Sequence, residues 1–139
     1  MSSDALDLDA RIRASFDRQA MMKTLGAELI EIAPGHIVIH APVLPKAKQQ
    51  QGFAHAGLTF AIGDSAAGYA ALSLQPPDTE VVTAEMKINL LAPATGPELR
   101  ATGRVVKAGK RLSVVSAEVS RTDGVLVALL QGTMVPVQA

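Results

Sequence analysis

The chain has no cysteine and no tryptophan, a single tyrosine and three phenylalanines among its 139 residues. Without cysteine there is no thiol nucleophile, no thiolate metal site and no disulfide framework. With so few rings and a hydrophobic content of 48%, the core has to be built from aliphatic side chains. Charge of neither sign prevails: 13 Lys and Arg balance 13 Asp and Glu, and the pI is about 6.8. No basic field therefore points to nucleic acid or to an anionic lipid surface as a partner. The acidic start MSSDALDLDARIR lacks the apolar run of a secretory signal. The longest apolar stretch is interrupted by Asp64, Gly and Ser, so no membrane span is expected and a cytoplasmic location is. Walker and dinucleotide glycine patterns are missing, and so is a G-x-S-x-G elbow. His36 and His40 fall in a strand-like run, where residues four apart are separated by about 13 Å. They cannot share a metal as helical neighbours would, and neither metal nor cofactor is expected.

One thing stands out against this background. Between Lys48 and Asp78 the only formally charged side chain is Asp64, set in QQQGFAHAGLTFAIGDSAAGYAALSLQPP. An isolated carboxylate in an apolar helix is costly unless it is paired, protonated or put to use. Burial also raises its basicity, which is what activation of water near neutral pH requires. Gly63-Asp64-Ser65 has the look of the start of a GDSL esterase motif, but that chemistry needs a downstream Asp and His, and the last histidine here is His55. Ser65 therefore reads as a helix hydroxyl.

The length suits one domain spanning residues 1–139. Leu8, Ile12, Phe16, Ala20 and Met21 recur at helical spacing and predict an N-terminal helix over about 6–25, with Gly26 as its stop. Residues 27–32 and 36–41 read as strands around a Pro34-Gly35 turn. A second helix over about 56–74 is apolar nearly all round and so belongs in the interior. Four strand candidates follow at 80–91, 98–107, 112–121 and 125–135, the last two joined through Asp123-Gly124. An antiparallel sheet wrapped around the central helix is the simplest way to bury it, which makes the fold class α+β.

These residues resemble the hot-dog fold, and within it the acyl-CoA thioesterases of the PaaI-like (4-hydroxybenzoyl-CoA thioesterase) superfamily. The resemblance runs through residues 26–39, Gly52 to Gly57, Asp64 to Ala71, Thr83 to Pro93 and the Gly109-Lys110 hairpin. Its most specific part is His55-Ala56-Gly57 followed seven residues later by Asp64; the family usually has His-Gly-Gly there. Ala56 replaces the first glycine and still supplies a backbone N–H. The resemblance implies that Asp64 activates water or attacks directly, with the N–H groups of Ala56 and Gly57 as oxyanion donors. It places Gln49 near the thioester, Thr83 where a hydroxyl can hold the water, and His55 as a group that orients the loop. For the coenzyme A phosphates it offers Lys110 and Arg111, then Lys107 and Lys87. It also implies a site shared between subunits, hence a homodimer at least and a homotetramer as the fuller expectation. The spacing fits a shared site, because seven helical residues rise about 10 Å.

Two other functions are compatible with the same residues. A hot-dog dehydratase would use His55 with a carboxylate, and a non-catalytic acyl-CoA binding module would keep the pocket without the chemistry. The acyl group itself is open, with Phe53, Phe60 and Tyr69 as possible pocket walls.

Overall fold

Residues 3–139 are described in a computed structural model. The predicted helix over 6–25 is in fact two helices, α1 (Ser3–Asp17) and α2 (Ala20–Leu25). They part at Gln19, whose backbone is extended (φ −84°, ψ 98°). The cause is tertiary: the Gln19 carboxamide bonds the Tyr69 hydroxyl (3.0 Å) and accepts from Ser65 Oγ (3.2 Å), both on the central helix. Such contacts outweigh the good helix propensity of glutamine. The stop at Gly26 is as expected; it sits at φ 69° and its N–H reaches the Lys23 and Met22 carbonyls.

Strands β1 (Glu28–Ala33) and β2 (His36–Pro42) form a hairpin around Pro34-Gly35. After a short 3₁₀ turn, α3 runs over Ala56–Leu72. It is followed by β3 (Thr79–Leu90), β4 (Glu98–Ala108), β5 (Ser113–Arg121) and β6 (Leu126–Gln138). All six strands join one antiparallel sheet in the order β1-β2-β4-β5-β6-β3. The sheet packs its inner face on α3, which is the hot-dog arrangement. No helix of the described residues is long and apolar enough to cross a membrane.

Alternation along the strands builds the core. Ile37, Ile39, Leu99, Ala101, Val115, Ala117 and Val119 point inward and are buried against Leu58, Ile62, Ala66, Ala67 and Ala70 of α3. The side chains at the helix–sheet contact are small, and at one point there is no side chain at all. A Cβ built on Gly103 of β4 would lie 2.2 Å from the Ala66 carbonyl carbon and 2.5 Å from the Ala67 nitrogen. α1 lies beside α3, burying Ile12 and Phe16. Its Arg11 guanidinium donates to the Gln75 and Pro76 carbonyls (3.0 and 3.2 Å) just beyond the end of α3, where cations are favoured.

β3 carries a bulge between Thr83 and Glu85. Opposite it, Gly132 leaves room: a Cβ there would lie 2.2 Å from the Glu85 carbonyl oxygen. The extra residue reverses the alternation, so Thr83 faces α3 while Glu85, Lys87 and Asn89 face outward.

The close approach at Gly103 makes a direct prediction. Gly103→Ala must push α3 off the sheet and is expected to destabilise the fold by about 3 kcal/mol, at the upper end of overpacking costs. Urea unfolding of the two proteins measures it, and a loss under 1 kcal/mol (about the cost of a mild surface change) would show that the helix can retreat freely.

Candidate active site

Asp64 lies in the middle of α3, on the side facing β3. Thr83 Oγ1 donates to its Oδ1 at 2.7 Å and lies 3.3 Å from Met134 Sδ. Burial pushes the Asp64 carboxyl above the usual carboxylate range, and the Thr83 hydroxyl bond pulls it part of the way back. No cation pairs with it among the described residues. A partly desolvated carboxylate held by one hydroxyl keeps a free oxygen for a proton, which is the equipment of a general base. The cavity beside it, about 250 Å³, is walled by Gln19, Ser65, Gly68, Tyr69, Thr83 and Met134, among others.

The start of α3 forms a second centre. His55 is its N-cap, and its Nδ1 accepts the Gly57 N–H at 2.7 Å. The Leu58 N–H goes to the His55 carbonyl at 2.9 Å. Of the two expected oxyanion donors, Gly57 is thus engaged by the imidazole, whereas the Ala56 N–H has no partner among the described residues and is exposed. Because Nδ1 accepts, the neutral ring carries its proton on Nε2. His55 thus caps the first turn of α3 through its own ring. Gln49 stands nearby, its carboxamide donating to Gln51 Oε1 at 3.0 Å. Gln49, Phe53, His55, Ala56, Leu90 and Leu91 line part of a cavity of about 530 Å³.

The candidate residues therefore fall into two groups within one chain. Asp64 and Thr83 share one cavity, Gln49, His55 and Ala56 another, and no residue lines both. From Ala56 to Asp64 the helix advances about 12 Å. Of the basic residues, Lys107, Lys110 and Arg111 lie at the exposed β4–β5 connection. Ser113, where β5 begins, pairs with Met134, which pairs with Thr83. That connection thus opens two strand spacings, about 10 Å, from the Asp64 centre. Lys87 is not brought to it; it projects from the outer face of the sheet across from Gln131. His36 and His40 also occupy the outer face, where Glu31 and Glu98 are their respective partners.

Of the aromatic candidates, Tyr69 lines the Asp64 cavity, Phe53 the other, and Phe60 packs on the core. Ser15, Gln19, Ser65, Gly68 and Glu80 were not expected at the site. Only Ser65 and Gly68 carried a signal, at one and four positions after Asp64 on the same helix.

Comparison with known proteins agrees with the fold. Residues 51–128, more than half of the chain, match the profile of the Thioesterase superfamily. A 1,4-dihydroxy-2-naphthoyl-CoA hydrolase of Listeria monocytogenes is 28% identical over 94 residues, covering 68% of this chain and 76% of that one. The crystal structure of a thioesterase family protein from Silicibacter pomeroyi superposes with a TM-score of 0.90 at 37% identity, over 95% of this chain and 99% of that one. The PaaI protein of the E. coli phenylacetic acid degradation operon gives 0.88 at 25% identity, over 95% and 94%.

The raised Asp64 carboxyl has a consequence for stability. The folded state binds this proton more tightly than the unfolded chain, so ionised Asp64 opposes folding at neutral pH. The opposition sets in as pH rises from the ordinary carboxylate value near about 4 through the folded value, and is absent below both. Asp64→Asn is therefore expected to raise the midpoint of thermal unfolding at pH 7, with the gain shrinking as pH falls toward about 4. A variant less stable than the parent at pH 7 would contradict the assignment.

Proposed function

The chain belongs to the thioesterase superfamily and is a thioester hydrolase; from that premise we propose that its substrates are acyl-CoA esters, cleaved by water that Asp64 activates. The observation that carries this reading is Asp64 itself: half-buried, unpaired with any cation among the described residues, and held by Thr83 at 2.7 Å beside a cavity. Asp64 takes a proton from water as the water oxygen bonds the thioester carbonyl carbon. The carbonyl oxygen becomes an oxyanion, which a backbone N–H at a helix start stabilises through its unpaired donor and the helix dipole. Collapse breaks the carbon–sulfur bond, and the departing thiolate receives the proton from Asp64. Direct attack by the carboxylate is the other route open to the same group.

The Ala56 N–H is the oxyanion donor in this scheme, since the Gly57 N–H is occupied by His55. At about 12 Å along the helix, a chain's own Ala56 is too far from its Asp64 for both to grip one carbonyl. We therefore assign Ala56 of one copy to Asp64 of another. What supports this is β3, a twelve-residue strand at the edge of the sheet with exposed Val82 and Leu90 and the adjoining Leu91. A long apolar edge of this kind invites a second strand. Lys110, Arg111 and Lys107 are assigned to the coenzyme A phosphates.

The dehydratase reading loses ground to one observation. The imidazole lone pair of His55 is spent on the Gly57 N–H, which leaves a donor rather than a base. The binding-module reading is separated by turnover. In a thiol-release assay over phenylacetyl-, hydroxybenzoyl- and aliphatic acyl-CoAs, Asp64→Asn is expected to lower kcat by about 10²–10⁴-fold with ligand affinity retained. No turnover by the parent on any member, with tight binding by both proteins, would leave a binding module.

The divided site has its own test. Val82→Lys adds a charge to the exposed β3 edge and is expected to give monomers in ultracentrifugation and to abolish turnover. An active monomer would place both halves of the site in one chain.

A further inference from the structure

The Thr83 hydroxyl has a single proton and two neighbours that stand within reach of it. It donates to Asp64 Oδ1 at 2.7 Å, and Met134 Sδ lies 3.3 Å from the same oxygen. A thioether sulfur is a weak acceptor beside a carboxylate oxygen. The proton therefore stays on the Asp64 side, and the sulfur touches the Thr83 oxygen without competing for it. Strand pairing fixes this arrangement, because Thr83 of β3 stands directly across from Met134 of β6. Glu80 and Tyr69 are the other titratable groups of the cavity, and neither bonds Asp64. Glu80 has Arg18 as its partner, and the Tyr69 hydroxyl has Ser15 and Gln19. Among the described residues Thr83 alone holds the carboxylate.

Met134 is only 1% exposed, yet it borders the 250 Å³ cavity beside Asp64. Gly68, one helical turn after Asp64, puts no side chain over it. A Cβ there would stand 3.7 Å from Met134 Cε and 3.9 Å from Sδ. The cavity is far larger than a solute the size of water needs. Met22 is buried to the same 1% but borders no part of this cavity. Burial alone thus does not set the two sulfurs apart; access from the cavity does.

We propose that Met134 is a positioning residue for the Asp64–Thr83 pair, and that its oxidation by a hydroperoxide disarms the pair by drawing the Thr83 proton away from Asp64. In that step a sulfur lone pair attacks one peroxide oxygen and the O–O bond breaks. The proton of the transferred oxygen goes to the departing oxygen, which leaves as water, or as an alcohol from an organic hydroperoxide. Sulfur gives up two electrons to the peroxide and becomes a sulfoxide. The new oxygen is polar where the thioether was not, and it accepts from Thr83. Asp64 then keeps its burial and loses its hydroxyl. The change is reversible, since methionine sulfoxide is reduced enzymatically. The proposal rests on the thioesterase reading for the role of Asp64, but not for the titration of its carboxyl.

That titration is read from the Asp64 carboxyl resonance by NMR, with no substrate present. Peptide mass spectrometry after graded hydrogen peroxide is expected to show Met21, 57% exposed, oxidised first, Met134 next and Met22 last. Once Met134 carries its oxygen, Asp64 is expected to titrate at higher pH than in the untreated protein. Turnover at neutral pH is expected to fall about tenfold in kcat, the worth of one hydrogen bond to a charged group. Met134→Leu offers no acceptor and is expected to keep the parent's Asp64 titration before and after peroxide. Met134→Gln places a permanent acceptor there and is expected to reproduce the oxidised state. In a Thr83→Val background the same substitution is expected to leave the Asp64 titration where Thr83→Val alone puts it, because there is no proton to divert. Should Met134→Gln fail to fold, the peroxide-treated parent and Met134→Leu decide between the outcomes. Oxidation of Met134 no faster than Met22, or an Asp64 titration that stays put when Met134 is oxidised, overturns the proposal and leaves the hydrolase reading standing. An upward move of that titration upholds the proposal even in a protein that cleaves no acyl-CoA.

Discussion

The contact between α3 and β4 at Gly103 is the constraint from which the rest of the arrangement follows. A helix whose backbone touches the sheet can neither tilt nor slide, and α3 is apolar on nearly every side. With the helix fixed, the two places where it is open to solvent are fixed as well. One is its first turn, where Ala56 and Gly57 are exposed; the other is the flank toward β3, where Asp64, Ser65 and Gly68 are only half-covered. Burial of a carboxylate on that flank opposes folding, and the Thr83 bond offsets only part of that opposition. The aliphatic core around Ile62, Ala66 and Ala70 carries the remainder.

Much of this was legible in the order of the residues. Asp64 was conspicuous because nothing charged stood near it, and the periodicities and Pro-Gly or Asp-Gly pairs located the strands. Three features escaped, each for want of a local signal. Gln19 is a good helix former in a continuous apolar repeat, and what breaks the helix there is a pair of contacts with Ser65 and Tyr69, 46 and 50 residues away. Lys87 follows Thr83 by four positions, so strict alternation puts both on one face; the bulge after Thr83 sends Lys87 to the other. The bulge is accommodated by Gly132, far along the chain, and nothing between residues 79 and 90 announces it. Between Ala56 and Gly57 the sequence offered no choice either, since which N–H is free depends on where the His55 ring turns.

The N-terminal helices are more than a cover for the sheet. Arg11 ties α1 to the carbonyls just past α3, and Phe16 meets the Tyr69 ring at 6.0 Å. The wall of the Asp64 cavity and the helix bearing Asp64 are thereby joined at both ends. Movement of α1 would widen the cavity and loosen the Gln19 network together, which couples the order of the N-terminal segment to the shape of the space beside the carboxylate.

The proposed pairing of copies along the twelve-residue β3 edge has a consequence in mass action. A reaction centre split between two copies exists only in the associated species, so its amount falls with the square of protein concentration once the chain is diluted below its own dissociation constant. Specific activity would then decline on dilution with no loss of folded protein, and acyl ligand bound across the seam would hold the copies together. Substrate would act as an assembly ligand, so that the enzyme is most complete where its substrate is most abundant.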